Sequence, residues 1–282
     1  MPPRRSRLLL GFLVFGFAFL YVPILLLVIY SFNASRMVTL WGGFSTKWYA
    51  ALLQDRAILD AAWKSLSLAF MSASASLVLG TTAGIALTRF GRYRGRNLLG
   101  GLITAPMVMP EVITGLSLLL LFVAMEQMIG WPVGRGMTTL WIAHVTFTTS
   151  YVAIVVSSRL RELDLSIEEA ALDLGATPLR VFFLITLPII APALVSGWLL
   201  AFTISLDDLV ISAFVSGPSS TTLPMVVFSS VRMGISPKIN ALATIIVGVV
   251  TAIVVLSGIW MMRQEKRRQR EIAQASKEFT GG

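Results

Sequence analysis

Residues 8–30 form an apolar run without one charged side chain. A helix rises about 1.5 Å per residue, so roughly 20 such residues cross the hydrocarbon of a bilayer, about 30 Å thick. The run follows Arg4, Arg5 and Arg7, the order found in a secretory signal. Its apolar part is longer than the roughly 7–15 residues of a signal peptide, so an uncleaved first span is expected.

Five more runs follow, at 66–88, 98–125, 138–156, 189–214 and 241–262. The second is rich in Ser, Ala and Gly and contains Gly80-Thr-Thr-Ala-Gly84, a small-residue spacing that suits close packing within the chain's own bundle. The third is too long for one straight span, and Pro106 and Pro110 predict a break or a preceding surface segment. Only 13% of the residues are charged, against about 25% in soluble domains. The expectation is an all-α integral membrane protein of about six spans. Residues 1–262 would form one transmembrane domain and 263–282 a basic tail.

An even number of spans puts both termini on one side. With the N-terminus inside, the inner segments hold 16 of the 23 Lys and Arg residues and the outer segments hold 7. The positive-inside rule therefore selects N-in and C-in. Trp63, Trp131 and Trp260 fall near span ends, as interfacial anchors do. The tail reads as a topology determinant or a contact with anionic lipid rather than a nucleic-acid patch. Asn33-Ala34-Ser35 fits the glycosylation pattern, which is too short to carry weight. With no Cys and one His, His144, neither a cysteine-ligated nor a multi-histidine metal site can be built.

The most polar inner segment is 159–188, between the fourth and fifth runs, and it reads as a helix–turn–helix. Ser166-Ile-Glu-Glu169 has the capping-box form. Gly175 is placed to stop the first helix in a left-handed turn, Thr177-Pro178 to start the second, and Pro188 to close it. Glu169, Ala170, Ala171, Gly175, Ile185, Leu187 and Pro188 together match the pattern EAA-x3-G-x9-I-x-LP. Seven fixed positions would coincide by chance on the order of 10⁻⁵ times in a chain of this length.

That pattern resembles the signature of the inner-membrane permeases of binding-protein-dependent ABC importers. The resemblance implies a type I importer permease fold in which this loop docks into a cytosolic ATPase, with Glu169 offered to a basic partner residue and Ala170 and Ala171 allowing close approach. It also implies a second permease subunit, two ATPase copies carrying ATP and Mg, and a periplasmic binding protein; no cofactor is expected on this chain. No G-x-x-x-x-G-K-[ST] occurs in it, so hydrolysis would belong to a separate subunit and the chain itself is not expected to be an enzyme.

Acids inside the spans are few: Glu111, Asp207 and Asp208, with Glu126 near a span end. Intramembrane charges need partners or a water path. On a continuous fifth helix, Ser205, Asp208 and Ser212 would share a face, and His144, Thr148 and Tyr151 would share one on the fourth. Tyr151, Trp141, Trp198 and Phe202 are candidates for cation–π contact. For Asp207 and Asp208 a substrate role and a structural, amide-capped role stand equal; for His144 a hydrogen-bonded core position is expected. The segments 111–120, 205–217 and 239–244 are similar to the spermidine/putrescine branch of the family. The resemblance therefore implies a polycationic cargo, putrescine or spermidine, with Asp207, Asp208, Glu111 and Tyr151 on its path. A secondary transporter or channel for an organic cation is the alternative, but it leaves the 159–188 loop unexplained. The outer segments 31–62 and 217–240 are large enough to dock a binding protein or simply to shield the bundle.

Overall fold

The computed structural model describes residues 4–37, 40–234, 236–252, 255 and 259. These residues are nearly all helical and group into two compact units, one drawn from residues 1–55 and 230–282 and one from Arg56–Ser229. Among them, five helical stretches are long and apolar enough to cross a membrane.

In the first unit, α1 (Arg4–Ser31) buries none of its apolar window, so its side chains are available to lipid or to a neighbouring subunit. At its end the Ser31 hydroxyl lies 2.6 Å from the Tyr49 hydroxyl of α2 (Lys47–Leu53). Asn33 organises the intervening loop: Nδ2 donates to the Leu40 carbonyl at 2.7 Å, while Oδ1 accepts from the amides of Gly42 and Ser35. The Trp48 indole donates to the Asn33 carbonyl at 2.7 Å. Asn33 is buried and its amide is engaged on both sides, so it is not presented as a glycan acceptor. The sixth apolar run begins as a helix over Pro237–Ala252, and Lys238 pairs with Asp55 at 3.0 Å. Trp260 and the basic tail lie outside the described residues.

The second unit is built on three long helices: α3 (Arg56–Arg89), α6 (Met137–Glu162) and α9 (Leu187–Asp207). Gly80 and Gly84 face α6 across the seam. A Cβ on Gly80 would stand 2.7 Å from Val152, and one on Gly84 would stand 3.2 Å from the Ser157 hydroxyl. The small-residue spacing therefore packs the chain's own bundle, as the sequence predicts. The third apolar run breaks at Pro110 into α4 (Arg96–Val108) and α5 (Glu111–Ile129), with Met109 extended between them, while Pro106 lies inside α4 and does not break it. α5 packs against α10 (Val210–Val215), and Leu68, Phe122, Leu140, Phe147, Ile211 and Val215 form a shared apolar core.

Two expectations are corrected in the fifth run. Pro188 does not close the second loop helix. α8 (Pro178–Val181) runs through a π-helical turn at Phe182–Thr186 straight into α9, whose first turn contains Pro188. The widened turn bonds the Leu187 amide to the Phe182 carbonyl, so a residue without an N–H is accommodated one position later. Nor is the helix continuous to 214. It ends at Asp207, Asp208 is extended, and the chain re-enters helix at Val210.

Contacts tie the segments together at each of the two ends of this unit. At one end Arg89 of α3 pairs with Glu168 of the 159–188 segment. At the other, Thr139 bonds the Val215 carbonyl at 2.8 Å, Arg135 the Phe214 carbonyl at 3.2 Å, and the Leu223 amide the Ser65 hydroxyl at 2.7 Å.

Candidate functional site

The 159–188 segment is a bent helical pair. Asp164, not Ser166, caps α7 (Leu165–Asp173): its carboxylate accepts the Ser166 amide at 3.0 Å, and that bond holds the Asp164 carboxyl below the usual carboxylate range. The predicted Ser166–Glu169 capping box is thus replaced. An aspartate two residues earlier offers a charged acceptor to the same orphan amides and complements the helix dipole.

At the other end of α7 the chain turns as the sequence predicts. Gly175 has φ +82°, its amide bonds Leu172 at 2.9 Å, and the Ala176 amide bonds Ala171 at 3.1 Å. This pair of bonds is a Schellman stop, and only glycine holds the left-handed position without strain. Thr177 occupies the next N-cap position with Pro178 behind it, but its side chain makes no capping bond.

α7 has no buried residue. Glu169 and Ala170 are exposed and Ala171 is half-buried, so the helix presents its signature residues outward. Ile185 and Leu187 are half-buried and Pro188 is exposed. The acid drawn inward is Glu168, which the signature does not mark. It pairs with Arg89 and accepts the Thr186 hydroxyl at 2.8 Å. Arg89 stands 79 residues away, so no local pattern could reveal the pair. A basic residue at the end of a span, available to a loop on the same side, was the only hint.

The membrane acids fall into different environments. Asp208 sits in the break between α9 and α10, where its oxygens accept the amides of Ile211 at 3.2 Å and Ser212 at 2.7 Å. His144 is fully buried beside it: Nε2 is 3.4 Å from the carboxylate and 3.0 Å from the Ser212 hydroxyl, and Nδ1 is 2.7 Å from the Ser205 hydroxyl. The His144 carbonyl accepts the Thr148 hydroxyl, which meets Ser76 of α3 at 2.7 Å. One polar seam thus joins α3, α6, α9 and α10. Ser205, Asp208 and Ser212 do converge, around His144 at the helix break and not along one helical face. Asp207, its neighbour in sequence, is exposed at the end of α9.

Glu111 is exposed in the first turn of α5, where an acid complements the helix dipole. The Glu126 carboxylate accepts the Gly134 amide at 2.9 Å and so braces the turn after α5. Tyr151 is half-buried against the core that contains Phe147 and Ile211. Trp198 stacks on Phe202 with ring centres 5.3 Å apart, and its indole bonds Ser74 at 3.2 Å.

Residues 76–271, more than half of the chain, match the family of binding-protein-dependent transport system inner membrane components. The chain belongs to that family. This permease is 62% identical over 275 residues to the putrescine transport system permease protein PotI of Escherichia coli K12, covering 98% of each chain. It is 43% identical to the spermidine/putrescine transport system permease protein PotC of Haemophilus influenzae, covering 88% of this chain and 93% of that one. Among solved structures, a bacterial ABC transporter importing the acidic polysaccharide alginate superposes with TM-score 0.67 at 16% identity, covering 92% of this permease and 98% of that chain. The methionine transporter MetNI, in an inward-facing form, gives TM-score 0.59 over 73% of this permease and 94% of that chain. At such identities these likenesses establish the fold, that of ABC importer permeases. The permease is therefore a multi-pass inner-membrane component of a transport system.

Proposed function

We propose that this chain is one of two permease subunits of an ATP-driven importer for a polyamine, putrescine foremost, working by alternating access. The observation that carries the substrate is the identity to a putrescine permease over nearly the whole of both chains. The acids agree with it. An exposed carboxylate cannot face hydrocarbon, so Asp207 is read as facing the second permease or an aqueous path. Asp208, by contrast, is engaged by backbone amides and His144 and is read as structural. Asp207 ends a helix that rises about 30 Å from Leu187, and Glu111 begins a helix that ends at the opposite face. The two would offer a diammonium ion a contact near each end of its route, while Tyr151 would lie beside that route within the bundle.

One of two copies of a cytosolic ATPase, holding ATP and Mg, would grip α7 through Glu169, Ala170 and Ala171, with Gly175 fixing the bend and Ile185, Leu187 and Pro188 leading into α9. Drawing the ATPases together would then tilt the helical pair and open the route to the other side. A periplasmic binding protein would deliver the cargo to the outer segments. The N-in, C-in assignment places the 159–188 segment on the ATPase side.

Co-purification tests the assignment. The tagged chain, solubilised from its own host, is expected to bring down an ATPase and a second permease, and Glu169→Lys to lose the ATPase alone. A chain that inserts and purifies without any ATPase would overturn it.

A further inference from the structure

We propose that Arg89, Glu168 and Thr186 form a clamp that transmits the movement of α7 to two spans at once; the clamp deepens the coupling role proposed above and rests on it. Arg89 ends α3, Glu168 lies in α7, and Thr186 lies in the π-helical turn that leads into α9. The three side chains meet on one carboxylate. Glu168 Oε1 accepts from Arg89 Nη2 at 3.3 Å and from Thr186 Oγ1 at 2.8 Å, and Arg89 Nε stands 3.1 Å from Oε2.

Burial separates this cluster from an ordinary surface ion pair. The side chains of Arg89 and Glu168 are only 14% and 16% exposed, and Thr186 is buried. They line a cavity of about 740 Å³ whose wall is otherwise mostly apolar, with Leu77, Leu160, Leu172 and Phe182 in it beside Thr81 and Thr82. Water and salt therefore screen the pair poorly, and removing one partner strands the other.

α7 needs such a tie. None of its residues is fully buried, so apolar packing alone holds it loosely. Among the described residues, the ion pair that its side chains make with the helices outside the 159–188 segment is that of Glu168. A push on the exposed face at Glu169 is thus carried through the adjacent residue to the end of α3, and through Thr186 to the start of α9. The π-helical turn suits the receiving end. Pro188 lacks the N–H that would help a regular α-helical ladder continue, so the turn stays wide and able to change pitch. Glu169 and Glu168 divide the work: one faces outward to the ATPase, the other inward to the spans.

The test uses the whole importer in proteoliposomes, with substrate taken up per ATP hydrolysed as the readout. Arg89→Gln and Glu168→Gln are each expected to lower that ratio about five- to tenfold, and Thr186→Val less. The swapped pair Arg89→Glu with Glu168→Arg is expected to recover most of it, which ties the loss to this ion pair, whereas a merely structural role would lower the yield of assembled importer and leave the ratio unchanged. Single variants at the wild-type ratio would overturn the clamp, as would a swapped pair that fails to assemble or to couple. If a single variant does not assemble, the swapped pair decides. Failure of the underlying reading looks different: no ATPase would then accompany even the unaltered chain.

Discussion

Asp207 and Asp208 are adjacent in sequence, yet their substitution should affect different measurements. Asp208→Ala removes the acceptor for two amides at the start of α10, a capping loss of about 0.5–2 kcal/mol. It also leaves His144 and Ser212, both buried, short of one polar neighbour, which adds about 1–3 kcal/mol. The total, about 1.5–5 kcal/mol, should lower the melting temperature of the purified complex by about 3–20 °C. Asp207 is exposed and has no such neighbours to strand, so Asp207→Asn should change stability by less than about 0.5 kcal/mol. Its effect should appear in transport. A carboxylate contacting an ammonium is worth about 1.5–3 kcal/mol net, so the concentration for half-maximal putrescine uptake should rise about 10- to 100-fold. Melting curves and uptake titrations on the same preparations separate the two. Normal uptake affinity in Asp207→Asn, together with lost uptake and an unshifted melting point in Asp208→Ala, would invert the assignment and refute the reasoning.

Other parts of the fold give shorter tests. Gly80→Val should destabilise the α3–α6 seam by about 1–3 kcal/mol, because even its Cβ meets Val152 at 2.7 Å; Gly84→Ala, with its nearest contact at 3.2 Å, should be milder in the same melting assay. Gly175→Pro should uncouple ATP hydrolysis from uptake while leaving membrane insertion intact, since the left-handed φ of +82° is closed to proline. Asn33→Ala removes four side-chain bonds from the 34–43 loop, so amide exchange there should speed up while exchange in α3 and α6 stays unchanged.

The parts legible in the sequence were those governed by local chemistry. Uncharged runs mark the spans because hydrocarbon rejects charge, Pro110 marks the break between α4 and α5, and Gly175 marks its turn because only glycine relaxes there. What the sequence hid depends on tertiary partners. Pro188 looked like a helix end because the π-helical turn that admits it leaves no pattern in Phe182–Thr186. Asp207 and Asp208 looked like neighbours on a continuous helix because nothing local says that Asp208 will find His144 and the amides of a new helix. Ser166 looked like the cap although Asp164 was equally in reach. The signature also drew attention to Glu169, while Glu168 meets its partner across 79 residues.

On the proposed function, a separate ATPase drives cargo through this chain. Accumulation of radiolabelled putrescine in proteoliposomes holding the complete complex and its binding protein tests it directly. Uphill accumulation is expected to need ATP on the ATPase side and to stop when the ATPase active site is inactivated, whatever the proton gradient. Accumulation that follows an imposed proton gradient with the ATPase inactive would contradict it.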